Sequence, residues 1–473
     1  MKRPIIALVS AALLVSSWAS QARAASAEVE ELKQQVRMLQ QRIEQMEQRE
    51  KEKAAAESTR APAPPTAPAA AVATGTEPGV TGEASAIKNR GSLVNQQDAA
   101  PRAGDLTLDP KYKGFTRIPN TKVLIKFNAK PRTDVTLDTQ NAGDDNRFIT
   151  AKIPVTGQAD KGGDPRFNIN SKASQLKIDV RAPEVPGAPR FYYENDFYGS
   201  GGGEFPYRIR HLYGQYYNII VGQTFSIFED PDVWPDTVDY EGPNSAIFAR
   251  RPLIRYLQPI GKEWQLNFGL EQPESEVDTT GDEEARGINN APDGGVNARW
   301  EREGVGHVQV ATILRSISVD GSTHGKQSTL GWGFNLASGL NAWGDDTWQG
   351  QATYGHGLFR YSNDDFTNND AGFDHSGNLE TIPYLGLMMG YTHQWSPEWR
   401  STVSGGYVNI DNTAAQAGDA YHQTEYASLN LIYQFHKRLS IGVETLYGHR
   451  ETKDGSDGDV VRFTAGLVYT IFD

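Results

Sequence analysis

The chain has 473 residues, with 46 Lys plus Arg against 59 Asp plus Glu, a formal net charge of −13 and only 38% hydrophobic residues. That composition excludes a bundle of membrane helices, which needs repeated apolar runs of about 20 residues, and the acidic total offers no basic footprint for nucleic acid. With no cysteine there is no disulfide framework, zinc-thiolate site or thiol nucleophile, while 10% aromatic residues beside 47 Gly favour twisted antiparallel strands and turns.

In chain order, Lys2 and Arg3 precede an apolar stretch over residues 5–18, and Ala22-Arg23-Ala24 has the small-x-small form of a cleavage site. Residues 1–24 read as a secretory signal, because the stretch is too short and wrongly flanked for a spanning anchor. Over residues 25–53, Val29, Leu32, Val36, Leu39, Ile43 and Met46 recur at spacings of 3, 4, 3, 4 and 3. This is the seam of a short α-helical coiled coil, and its strict alternation favours self-association over a solvated single helix. Three heptads are marginal alone, so a second oligomerising domain is needed to raise the local concentration. Residues 54–120, with Pro62, Pro64, Pro65 and Pro68 among alanines, then read as an Ala/Pro-rich linker and poorly ordered segment.

From 121 to 473 the pattern is alternation. Trp264, Leu266, Phe268 and Leu270 stand against Glu263, Gln265, Asn267 and Glu271; Val461, Phe463, Ala465, Leu467 and Tyr469 stand against Arg462 and Thr464. Segments of this kind number about sixteen, an even count that suits antiparallel closure. Short turns fall at Pro186-Gly187, Asn218, Pro259-Ile260-Gly261, Gly304-Val305-Gly306, Ser396-Pro397 and His436-Lys437, with longer polar loops near 138–166, 229–245, 273–293 and 362–380. Short turns at one end and long loops at the other are the asymmetry of an outer-membrane barrel. Aromatic residues at segment ends, such as Tyr391, Trp395, Trp399, Tyr433, Tyr447 and Tyr469, fit the two membrane interfaces. The expected fold is therefore all-β, a 16-stranded antiparallel transmembrane β-barrel preceded by the N-terminal coiled coil.

Charged residues keep largely to one face of these segments. The register aims Lys126, Lys130, Lys177, Arg181, Arg208, Arg210, Arg251, Arg255, Arg299 and Arg315 into the lumen, where such bases raise the local concentration of anions. Arg208 and Arg210, with Arg251 and Arg255 two strands away, are the candidates for the narrow zone. The plainer reading is that these bases pair with acidic loops as scaffold. Asp230, Asp232, Asp236, Asp239 and Glu241 fall in a stretch with no base; that loop either folds inward opposite the arginines or stays on the outer surface.

Ile209-Arg210-His211-Leu212-Tyr213-Gly214, Val221-Gly222-Gln223-Thr224-Phe225-Ser226, Pro235-Asp236-Thr237-Val238-Asp239-Tyr240-Glu241-Gly242-Pro243 and the run 248–256 resemble the DcaP-like trimeric outer-membrane porins, most strongly over residues 205–275. The order of parts, from signal and coil through linker to barrel, resembles them too. The resemblance implies a homotrimer of sixteen-stranded barrels in outer-membrane lipid, periplasmic N-terminal coils, and uptake of small dicarboxylates, with Arg210, Arg251 and Arg255 inside the matching motifs. In one departure, Phe472 is followed by Asp473, whereas such barrels usually finish on an aromatic residue. The expected function is passive, anion-preferring diffusion of small solutes, carboxylates above all, with no chemical step, cofactor, metal or nucleic acid. The rivals are an outer-membrane β-barrel hydrolase, for which no G-x-S-x-G, H-E-x-x-H or P-loop is present, and an adhesin or envelope tether.

Overall fold

The computed structural model describes residues 114–471 apart from 202 and 368, all inside the compact unit Glu77–Asp473. The signal, the coiled-coil seam, most of the linker and the terminal Phe472-Asp473 lie outside the described residues.

In chain order the strands are β1 (Thr116–Arg117), β2 (Leu124–Lys130), β3 (Arg132–Asp138), β4 (Arg166–Asn170), β5 (Gln175–Arg181), β6 (Arg190–Asp196), β7 (Arg208–Tyr216), β8 (Ile219–Phe225), β9 (Arg250–Ile260), β10 (Trp264–Glu271) and β11 (Arg286–Ile288). They continue as β12 (Asp293–Arg302), β13 (Gly306–Asp320), β14 (Gln327–Asn341), β15 (Thr347–His356), β16 (Ala371–Phe373), β17 (Leu379–Thr381), β18 (Pro383–Gln394), β19 (Trp399–Ile410), β20 (Tyr421–His436), β21 (Leu439–Thr452) and β22 (Asp457–Tyr469). Helical structure among the described residues amounts to three short 3-10 turns.

Antiparallel ladders join β5 to β6, β6 to β7, β7 to β8, β8 to β9 and β9 to β10, and the run continues through β12 to β15 and from β18 to β22. β22 then pairs with β3, β3 with β4, and β2 with β5. Pro131, which has no N–H to give a ladder, separates β2 from β3, yet its carbonyl still accepts from the Tyr469 N–H at 3.0 Å. The two segments thus behave as one interrupted strand.

The alternation sorts the side chains as the sequence reading expects. Phe268 and Leu270 are exposed on one face of β10 while Asn267 and Glu271 are buried on the other; on β22, Phe463, Leu467 and Tyr469 are exposed and Arg462 and Thr464 buried. A soluble sandwich would bury the apolar face instead. Tight connections lie between β7 and β8, β9 and β10, β12 and β13, β18 and β19, and β20 and β21, at the predicted turn residues. Most connections at the opposite strand ends are long; those from β13 to β14 and from β21 to β22 are the short exceptions.

Several of those loops fold back onto the inner face. Phe228, Ile247, Leu358, Phe359 and Tyr361 from two of them pack with Ile149 and Ala151 of a third against Ala311, Ile313, Tyr384, Val408 and Ile410 of the wall. Sequence parity alone leads one to expect a polar, wetted inner wall. Here part of that wall is apolar because loop side chains cover it.

The candidate functional site on the inner wall

Five strands of one run, in which β8 stands between β7 and β9, carry a basic sector. Lys126 and Lys130 lie on β2, Lys177 and Arg181 on β5, Arg190 on β6, Arg208 and Arg210 on β7, and Arg251 and Arg255 on β9. Strict alternation would send Arg210 and His211 to opposite faces, but both are buried on the inner side. The cause is a β-bulge: Glu194 pairs with His211 and Asn195 with Ile209, so Arg210 is the extra residue.

Carboxylates in this sector are shared. Asp179 takes Arg181 at 2.7 Å and Arg190 at 2.9 Å, Glu194 takes Lys177 at 3.1 Å and Arg210 at 2.5 Å, and Asp196 takes Arg208 at 2.6 Å and Arg210 at 3.0 Å. Three acids therefore meet five bases. Lys126 stands 5.8 Å from the Phe115 ring centre. Arg251 donates to the Arg360 carbonyl at 3.0 Å and reaches only the half-exposed Glu274, at 3.5 Å. Buried Arg255 donates to the Phe225 carbonyl, and its Nε has no hydrogen-bond partner. Positive charge exceeds negative along this stretch of wall.

Arg299 and Arg315 differ. Arg299 holds Asp230 at 3.0 Å, Asp232 at 2.7 Å and Glu301 at 3.1 Å; Arg315 holds Asp293 at 3.1 Å and Asp370 at 2.8 Å. For these two the scaffold reading describes the geometry. Their side chains are among the least accessible of the described residues, as are those of Arg181 and Arg210, whereas the Arg208 side chain keeps 26% of its surface exposed.

The connection between β8 and β9 explains where the acids go. It folds inward, and its acidic residues dock on the wall in sequence. Asp230 also meets His307 at 2.9 Å, Asp236 meets Arg400 at 2.5 Å, and Glu241 meets Arg147 at 3.2 Å. Asn335, Asn430 and Arg132 bind the loop carbonyls of Phe228, Asp236 and Val238. Asp239 donates its backbone N–H to Glu444 and has no arginine within ion-pair distance. Burial, with the Glu444 and Glu241 carboxylates beside it, pushes Asp239 up to about 8. Burial likewise raises Glu229 to about 8.

Sequence reasoning missed Tyr240. Its hydroxyl donates to Asp196 at 2.7 Å and also contacts Arg210, while its ring stacks on Tyr198 at 5.1 Å and lies under Arg132. It ties the inward loop to the basic sector. The hints were its place in the acidic run and in the motif Pro235 to Pro243 that carries the resemblance. Arg360, buried beside Asp293 and Glu274, was missed as well because it lies in a connection, outside the period-two pattern that assigned the wall bases. The Asp454–Asp459 stretch forms a hairpin turn in which Asp454 accepts from Thr452 and the Ser456 N–H, and no group of metal-ligating side chains is found among the described residues.

The family model for DcaP outer membrane proteins matches residues 87–469. The chain belongs to the DcaP outer membrane protein family. No curated protein sequence matches it. Among solved structures, the outer membrane channel DcaP of Acinetobacter baumannii is similar at 22% identity and a TM-score of 0.66, covering 74% of this chain and 97% of that one. The anion-selective porin from Comamonas acidovorans aligns at 11% identity with a TM-score of 0.48, covering 74% of this chain and 100% of that one. This DcaP family member is thus an outer-membrane β-barrel porin and not a hydrolase.

Proposed function

We propose that this DcaP family porin passes small anions, carboxylates and dicarboxylates above all, by passive diffusion past the basic sector of β2 to β9. The observation that carries the reading is how the inward loop disposes of its acids. Asp230, Asp232, Asp236 and Glu241 are each held by an arginine outside that sector. Asp230, Asp232 and Asp236 are therefore engaged outside the sector, and only Glu241, shared between Arg147 and the field of Arg208, offsets it, so the sector keeps its positive excess. In a narrow, low-dielectric passage such an excess concentrates anions, and a guanidinium can grip a carboxylate with two parallel hydrogen bonds.

In this reading Arg208, Arg210, Arg251 and Arg255 mark the narrow zone, with Lys126, Lys130, Lys177 and Arg181 leading along it. Arg299 and Arg315 act as struts. The sheet is read as a sixteen-stranded barrel, a count its twenty strands support when short β1 and β11 are set aside and β2 with β3, and β4 with β5, count as one each. The assembly is a homotrimer, residues 1–24 are a cleaved signal, and the coil of residues 25–53 lies in the periplasm.

Liposome swelling tests the substrate class. Succinate is expected to enter proteoliposomes at least about tenfold faster than a diamine of equal length, by attraction of one sign and exclusion of the other. Equal rates would contradict it.

A further inference from the structure

A polar cavity lies at the loop end, apart from the basic sector. It has a volume of about 350 Å³ and is walled by Asp278 and Thr279 from the connection after β10, Thr367 and Asn369 from the connection after β15, Asp419, and Arg450 of β21. That size is at the lower end for small-molecule sites.

The walls are built rather than incidental. Gln416 donates to Asp278 at 3.1 Å and to Asn369 at 2.9 Å, which staples three loops together. Asn369 also binds the Thr367 hydroxyl, and Lys453 fixes the Gln416 loop through the carbonyls of Thr413, Ala414 and Gln416. Within this frame Arg450 is 9% exposed, yet its only hydrogen bond is from Nη1 to the Ile153 carbonyl at 3.2 Å; its Nε has no partner. Asp419 is exposed at the cavity mouth. A guanidinium that makes no ion pair, in the field of buried Asp364, and the Asp419 carboxylate outside ion-pair reach of it face one small space.

We propose that this cavity is an outer-vestibule site for a free α-amino acid. The ligand carboxylate meets Arg450, the ammonium meets Asp419, and the Thr279 and Thr367 hydroxyls serve a polar side chain. A simple anion gains from Arg450 but is opposed by Asp278, Asp364 and Asp419; a simple cation suffers the reverse. Only a solute carrying both charges on neighbouring atoms satisfies both walls.

Calorimetric titration of the full protein in detergent tests this without reference to ion flow, so its failure leaves the porin reading untouched. The probes are serine, 3-hydroxypropanoate, which lacks the ammonium, and ethanolamine, which lacks the carboxylate. Serine is expected to bind at least about tenfold more tightly than either fragment, each of which forfeits a charge-assisted contact. Arg450→Gln and Asp419→Asn should each weaken serine about tenfold, and the second, on an exposed loop, leaves folding intact. Equal binding of serine and 3-hydroxypropanoate, unchanged binding in Asp419→Asn, or no serine binding at all would overturn the proposal.

Discussion

At the scale of single residues, the arginines of the inner wall fall into two kinds that a list of lumen-facing bases does not separate. Arg299 is enclosed by Asp230, Asp232 and Glu301. Removing a partner from a buried ion pair costs about 3–5 kcal/mol because the remaining charges are left unpaired. Arg299→Ala is therefore expected to lower the unfolding temperature and, by freeing the loop tip, to raise single-channel conductance and its noise. A variant with unaltered melting and conductance would show that the loop is held elsewhere. Arg208→Ala should do the opposite. Its Asp196 partner keeps Arg210 and the Tyr240 hydroxyl, so melting stays near wild type while the anion-to-cation permeability ratio falls. Asp239 adds a pH dependence. Its value is raised from 3.8 to about 8 by burial and by Glu444 and Glu241, so its neutral form favours the docked loop. That contribution is complete below about pH 4 and is lost as pH rises through about 8. Amide exchange over residues 236–244, corrected for intrinsic rate, should be more protected at about pH 6 than at about pH 9, and Asp239→Asn should flatten the difference. Equal protection in the wild type would exclude this account.

At the scale of elements, β8 owes its fit to one glycine. Gly222 has φ +127°, and a Cβ there would meet the Leu212 carbonyl oxygen at 2.3 Å and Tyr213 Cα at 2.7 Å. Gly222→Ala adds a side chain where both backbone conformation and space refuse it, at a cost of about 1–3 kcal/mol for the strained φ alone. Its folded yield and melting temperature should drop, and wild-type values in both would remove the argument. The tight turns were legible in the sequence because Pro186-Gly187, Asn218 and Gly304-Val305-Gly306 interrupt a period-two pattern locally. So were the lipid-side apolar rows of β10 and β22. The β13 sequence was harder to read. Ala311, Ile313, Ile317 and Val319 of its inner face are all buried, against Phe228 and Leu358 of the loops and Phe373 of short β16. An apolar run on both faces of a membrane strand is the signal for an inward loop, but the loop that answers it is distant in sequence. The same holds for the site. Parity found Arg208, Arg251, Arg255 and Arg299, yet it could not tell a strut from an open cation, because that depends on Asp230 and Asp232 reaching Arg299 across 69 and 67 residues of chain. Nor could it foresee the bulge that turns both Arg210 and His211 inward.

At the scale of the whole molecule, a chain of net charge −13 is proposed to prefer anions because its acids and bases are segregated. The inward loop uses its carboxylates on Arg299, Arg400 and Arg147, and the β2 to β9 wall keeps a surplus of positive charge. The coil of residues 25–53 adds a separate expectation: three heptads are too few to hold alone, so deleting them should leave a porin that still forms trimers in the membrane but loses them at lower temperature. Trimers equally resistant to heat would remove the coil from the assembly. The sign of the lumen field sets which ions pass. Its most direct test is the reversal potential of single channels across a tenfold potassium chloride gradient. Wild-type protein should give the sign of chloride selectivity, and Arg208, Arg251 and Arg255 changed together to glutamine should bring the potential close to zero; a wild-type potential of the sign set by potassium would contradict the account.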